Sequence, residues 1–228
     1  MVDLNRIDLG MANRIASAVR LDDIPAKYKS LPRLGRVTTT IALDDGDSVI
    51  LLTRDVMKRE WLRDVMKREW LRDCGLADEL DAYTTHTSHI SGMNELPIYV
   101  LRVPRLFKLD LANRRLVKKV LEEFYKVRLD AQMNHYGKRN PKEEELRALR
   151  EHFTKNENHV LAPLFNFLGN YDARHFAYDL DLRNFMQDAN GKLVVSDPIV
   201  MAEILDLIHA DYKRKYQQKQ MNTLGWRA

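Results

Sequence analysis

A chain of 228 residues with 45% hydrophobic and 31% charged residues can bury a real core, as one two-lobed domain or two small ones, which excludes global disorder. Its 37 basic residues exceed its 33 acidic ones by four. The two signs are interspersed, a balance that permits phosphate-bearing ligands or acidic proteins as partners without indicating nucleic acid.

Cys74 is the single cysteine, so an internal disulfide and a cysteine-rich zinc site are excluded, and a reducing cytoplasm is expected. The first twenty residues carry acids early and have no long apolar core, so a secretory signal is not expected. No run approaches the length that spans a bilayer, and no membrane partner is expected.

In chain order, Leu9, Ile15, Val19 and Leu21 predict a short amphipathic helix over 8–21. Val37 to Ile41 is almost wholly β-branched and predicts a strand. Asp44-Asp45-Gly46-Asp47 supplies turn chemistry, and Ser48 to Thr53 predicts the returning strand of a hairpin. RDVMKREWL then occurs at Arg54–Leu62 and again, unchanged, at Arg63–Leu71. Nine residues span two and a half helical turns, so a continuous helix points Trp61 and Trp70 to opposite faces. A solenoid needs three or more repeats, so the reading is an in-frame duplication that lengthens one helix, with a duplicated binding helix as the functional alternative.

Cys74 to Glu95 is polar and reads as irregular, whereas Leu96 to Val103 predicts a buried strand. A lobe boundary is placed there, with an N-terminal lobe over 1–103 and a helical C-terminal lobe over 104–228. Leu116, Val117, Val120, Leu121, Phe124 and Val127 predict a core-facing helix after Asp110. Asn140, Pro141 and Glu143 predict a capped second helix. A third apolar segment runs from Val160 to Leu168, closed by Gly169-Asn170. Phe185 to Val195 predicts a second hairpin around Asn190-Gly191. A last helix is expected directly after Asp197-Pro198, running into a basic, glutamine-rich tail. Strands first and helices later predict an α+β protein of two lobes.

The chemistry-bearing stretch is Tyr178 to Val200, YDLDLRNFMQDANGKLVVSDPIV. Asp179 is followed five residues on by Asn184, and thirteen further on, after the hairpin, by Asp197. Residue by residue, other roles are open. Asp179 and Asp181 suit solvated loop acids, Asn184 suits a turn cap, and Asp197 suits the N-cap of the last helix. As a set, the stretch resembles the catalytic and metal-binding loops of protein-kinase-like phosphotransferases. It is similar in particular to small kinase-like proteins of tailed bacteriophages, through D-x-x-x-x-N-x-M, then N-G, then D-P. The resemblance covers roughly residues 30 to 212.

The resemblance implies a protein-kinase-like two-lobed α+β fold, with Mg²⁺ and ATP as cofactors. Asp179 becomes the catalytic aspartate that orients the attacking hydroxyl. Asn184 and Asp197 become oxygen ligands of Mg²⁺. Gly35, ahead of Val37 to Ile41, becomes part of a reduced phosphate-covering loop. Glu60 or Glu69 becomes the acid of the family's C helix. Proteins of that group act on host proteins during infection, so a bacterial host protein is the implied partner and the infected cell's cytoplasm the implied location.

Departures accompany the resemblance. Leu51 stands where the strand lysine that holds nucleotide phosphates is expected, leaving Arg54 or Lys58 as the nearby cation, and Arg differs from Lys in geometry. Ala177 replaces the histidine two before the catalytic aspartate, with His175 at the wrong spacing. Asp181 replaces a usual Lys or His, and Pro198-Ile199 replaces Phe-Gly. Four functions follow in order: a phosphotransferase acting on protein hydroxyls; a pseudokinase that binds a host protein through the basic tail and the lengthened helix; a metal-dependent nuclease using Asp179, Asp181 and Asp197; and a nucleic-acid-binding module using Tyr212, Tyr216 and Trp226 among the tail's cations.

Overall fold

The Asp44–Asp47 turn and the β-branched run before it build the expected hairpin. In the computed structural model, which describes residues 19–37, 40–66, 78–85, 90–137 and 139–223, β2 (Thr40–Asp45) pairs antiparallel with β3 (Ser48–Thr53), in register from Thr40↔Thr53 to Asp45↔Ser48. Gly46 takes φ +74°, which a side-chain-bearing residue resists, and its N–H donates to Asp44 Oδ1 at 3.1 Å. With β1 (Arg33–Val37), β4 (Asp78–Tyr83) and β5 (Ile98–Pro104), they form a five-stranded antiparallel sheet of order β1-β2-β3-β5-β4.

Alternation along the strands gives the sheet two apolar faces. Ile41, Leu43, Ile50, Leu52, Ile98 and Val100 pack with Val19 and Ile24 on one side. Val49, Leu101 and Val103 turn to the other, where they join the main core.

Helix α1 (Val56–Glu60) follows β3 and continues as a π-helical turn over Trp61–Met66, so the widened turn spans the join of the two repeat copies. Trp61 is fully buried, donates from Nε1 to Val195 O at 3.1 Å and meets Phe167 edge-on at 5.6 Å. The rest of the second copy, with Glu69 and Trp70, lies outside the described residues, as do Cys74, Trp226 and most of the expected 8–21 helix.

Three helices follow: α2 (Leu111–Asn134), α3 (Pro141–Thr154) and α4 (Ala162–Leu168). Asp110 caps α2 by accepting from Asn113 N at 2.8 Å. Phe124, Phe153 and Phe165 stack where the three meet, with centroids 5.1–6.4 Å apart. Each such fully buried ring is worth about 1.5–3 kcal/mol of transfer free energy. Met57, Trp61 and Leu62 belong to this same core, so it runs continuously across the boundary placed at 103/104.

The second hairpin also forms, as β7 (Phe185–Gln187) and β8 (Leu193–Val195). Asp188 is buried and holds the turn with Oδ1, which accepts from Asn190 N and Lys192 N at 2.8 Å each. A short pair, β6 (Phe176–Tyr178) with β9 (Ile199–Met201), precedes the final helix α5 (Ala202–Thr223).

Three local expectations are corrected. Residues 78–83 form a strand, although they were read as irregular. Asn140 makes no side-chain cap, and Glu143 instead accepts from Ala173 N at 2.9 Å. The last helix begins at Ala202, because Ile199–Met201 is drawn into pairing with β6.

Candidate functional site

The two short strand pairs bring together the residues that lie far apart in sequence. Asp179 follows β6 and Asp197 precedes β9. The β6–β9 pairing therefore sets them side by side, and Asp179 N donates to Pro198 O at 2.8 Å. Asn184 ends a 3₁₀ turn over Leu182–Asn184 and leads into β7. Its Nδ2 donates to Asp179 O at 2.5 Å. Its own carbonyl accepts from Ser196 N at 2.8 Å, Ser196 Oγ at 3.0 Å and Asp197 N at 3.4 Å. Asp179, Asn184 and Asp197 are thus held in one cluster by backbone bonds at both ends of the β7–β8 hairpin. Asp197 does not cap the final helix, which starts five residues later.

The cation of the cluster is Lys58. Its Nζ donates to Asp197 Oδ2 at 2.5 Å, in a pair whose side chains are 8% and 24% exposed. Lys58 sits in the first turn of α1, and Asp55 fixes that turn. Asp55 Oδ1 accepts from Lys58 N at 3.1 Å, while Oδ2 accepts from Met201 N of β9 at 3.3 Å. One buried carboxylate therefore clamps the helix that carries Lys58 to the strand that follows Asp197. A second clamp runs upstream, where Asp55 N donates to Thr53 Oγ1 at 3.1 Å and Thr40 Oγ1 donates to that same oxygen at 3.0 Å.

The electrostatics follow from burial. Burial raises the Asp179 carboxyl to about 6, and the neighbouring Asp197 charge pushes the same way; the Asn184 amide, Lys58 and Arg183 oppose the shift. Burial likewise raises Asp55 to about 7, against the two N–H groups that it accepts. Asp181 is different. Burial works to raise its carboxyl, but the Arg183 N–H and guanidinium outweigh that and leave it below its usual value. Arg183 lies 3.2 Å from Asp181 and offsets the charge that the sequence sets against a phosphate there.

Arg54, expected as a phosphate-binding cation, is placed elsewhere. It is fully buried, donating from Nη1 to Met93 O at 2.9 Å and Leu96 O at 2.5 Å and from Nη2 to Thr85 Oγ1 at 2.8 Å, with Asp23 at 3.7 Å. Gly35 lies within β1 opposite Ala42, with nothing within 4 Å of where a Cβ would go. Glu60 pairs with its neighbours Arg59 and Arg63. His175 faces Glu203 at 3.2 Å. Leu51 packs against the main core. Lys58 was legible only as a cation near the strand, because 139 residues separate it from Asp197.

Among the described residues, no three His, Cys, Asp or Glu side chains converge as a metal cage. Magnesium, however, is commonly held by one or two carboxylates plus phosphate oxygens and water. Two carboxylates at close quarters, one of them raised to about 6, form a site that a hard cation would relieve. Asn184 Nδ2 is engaged with Asp179 O, which leaves Oδ1 as its acceptor. The donor set therefore fits such an ion. No helix among the described residues is long and apolar enough to cross a membrane. No protein-family model and no curated protein matches the chain, whose shown architecture is a mixed α+β protein built on a five-stranded antiparallel sheet.

Proposed function

We propose that this chain is a protein-kinase-like phosphotransferase of the bacteriophage type, acting on hydroxyl groups of a bacterial host protein. The observation that carries the reading is the Lys58 Nζ–Asp197 Oδ2 pair beside Asp179, a cation and two carboxylates gathered from three distant segments. Mg²⁺ with ATP, when bound, supplies an electrophilic phosphoryl group and neutralises its charge. Asp197 and the Asn184 amide oxygen are the residues that would hold the ion. Asp179 orients the attacking hydroxyl and takes its proton, a task suited to a carboxylate raised towards neutrality. Lys58 provides the phosphate-facing cation that Leu51 cannot, from the first helical turn instead of the strand. Gly35 and Arg54 have no part in this assignment.

A pseudokinase that binds a host protein is the second reading. It draws on the same pair, since Lys58 closed on Asp197 occupies the ligand that a metal needs. Autophosphorylation and thermal shift with Mg²⁺-ATP separate the two. Label incorporation and a rise in melting temperature, both lost in Asp197→Ala, are expected of a working site. Neither signal in the unaltered protein would rule out the transferase and leave the binding role.

A further inference from the structure

Helix α2 carries one face that the fold leaves open. From Leu111 to Leu121 it holds four exposed cations, Arg114, Arg115, Lys118 and Lys119, and no acid. None of the four forms an ion pair with a described residue. Further along, Tyr125, Leu129 and Met133 follow at four-residue intervals, and Tyr136 stands just past the helix end. Leu129 is 56% exposed, Met133 71% and Tyr136 89%. Single exposed apolar residues are ordinary, but a row of them on one helix face is a contact surface.

The two halves share a face. At 3.6 residues per turn, Arg114, Lys118, Tyr125 and Leu129 fall within about 60° of arc, with exposed Glu122 about 20° beyond it and Arg115 and Met133 about 40° beyond it. The stretch from Arg114 to Met133 is about 28 Å long. Tyr125, Arg128, Leu129 and Gln132 lie on adjacent turns of α2 and line a shallow, open recess on its surface. Arg128 is already held by Glu145 at 2.9 Å, so this half offers apolar contact more than charge. Tyr125 Oη donates to Leu180 O at 2.8 Å, one residue from Asp179. A chain docked on α2 therefore lies beside the candidate site.

We infer that this face of α2 docks a partner-protein segment in which an acidic block adjoins a short row of leucine-type side chains. The acids meet Arg114 to Lys119, and the aliphatic row packs against Tyr125 and Leu129. A second copy of this chain is the poorer match, because antiparallel packing of two α2 helices sets the basic half of one against the apolar half of the other. The assignment stands on surface charge and shape, whether or not the cluster at Asp179 transfers phosphate.

The test is fluorescence anisotropy with labelled synthetic peptides in which four glutamates precede, or follow, leucines spaced i, i+4, i+7. Saturable binding of one of the two orders is expected. Leu129→Glu with Met133→Glu should weaken it at least ten-fold at any salt concentration. Arg114→Glu with Lys118→Glu should weaken it at least ten-fold at low salt only, since exposed charges are screened at high salt. All four positions are exposed, so melting temperatures should stay within a degree or two of the unaltered protein's, which keeps misfolding apart from lost binding. Three results would overturn the inference: no saturable binding of either peptide, unchanged binding by both double variants, or equal binding of a peptide with serine in place of every leucine.

Discussion

Two ion pairs four residues apart in the first repeat copy end in opposite circumstances. Arg54 and Asp23 are both fully buried, and the guanidinium has carbonyls and a hydroxyl on its remaining donors. Lys58 and Asp197 are partly open, and Lys58 has three N–H donors with one acceptor among the described residues. A buried cation held by two carbonyls, a hydroxyl and a carboxylate builds structure. A cation with spare donors beside a water-accessible carboxylate can trade partners, and trading partners is what a phosphate site requires. Sequence proximity to the strand pointed to both residues alike; saturation of their hydrogen bonds distinguishes them.

The largest effect should come from the closed pair. Arg54→Met should cost about 3–5 kcal/mol in urea unfolding, because it strands Asp23 and three oxygens in a dry interior. A loss under about 1 kcal/mol would break the contrast. The clamp on the open pair comes next. Asp55 uses one oxygen for Lys58 N and the other for Met201 N, and an asparagine has one acceptor oxygen for the two. Asp55→Asn should therefore cost about 1 kcal/mol at pH 7.

The same variant should change the pH profile. A carboxyl raised to about 7 when folded, from an ordinary value near 4, favours folding fully below pH 4. That contribution is lost as pH rises through 7. Asp179, raised to about 6, adds the same sign over a narrower window. Urea melts at pH 5, 6 and 7.5 should show stability falling in the unaltered protein and a shallower fall in Asp55→Asn. Parallel slopes would show that Asp55 titrates as an ordinary acid.

The smallest effect on stability should come from Lys58→Met, about 1 kcal/mol or less, since Asp197 keeps access to water. Phosphoryl transfer by the proposed site, by contrast, should fall at least a hundred-fold. A fold loss as large as that of Arg54→Met would move Lys58 into the structural class.

Much of the fold was legible because its signals are local. Asp-Asp-Gly-Asp and Asp-Ala-Asn-Gly each fix a turn within four residues, and the Val117–Phe124 spacing marks a core-facing helix by itself. The misses share a cause in distant partners. Asp78–Tyr83 reads DELDAY, with acids where an apolar alternation would mark a strand, because it is the charged edge of the sheet. Ile199–Met201 has helix-like apolar spacing and becomes a strand only because Phe176–Tyr178 stands alongside it. In the site, Asp179, Asn184 and Asp197 were singled out through the resemblance of one local stretch to a kinase-like loop pattern, whereas Lys58 and Asp55 reach the cluster from another part of the chain.

The exact repeat has a genetic consequence. Excising Arg54–Leu62 and excising Arg63–Leu71 produce one and the same polypeptide, so neither copy can be named the original. Yet Asp55, Lys58 and Trp61 of the first carry the clamp, the cation and the buried indole, while Asp64, Lys67 and Trp70 repeat those identities nine residues on. The gene thus carries twice, in tandem, the segment that encodes the clamp, the cation and the buried indole.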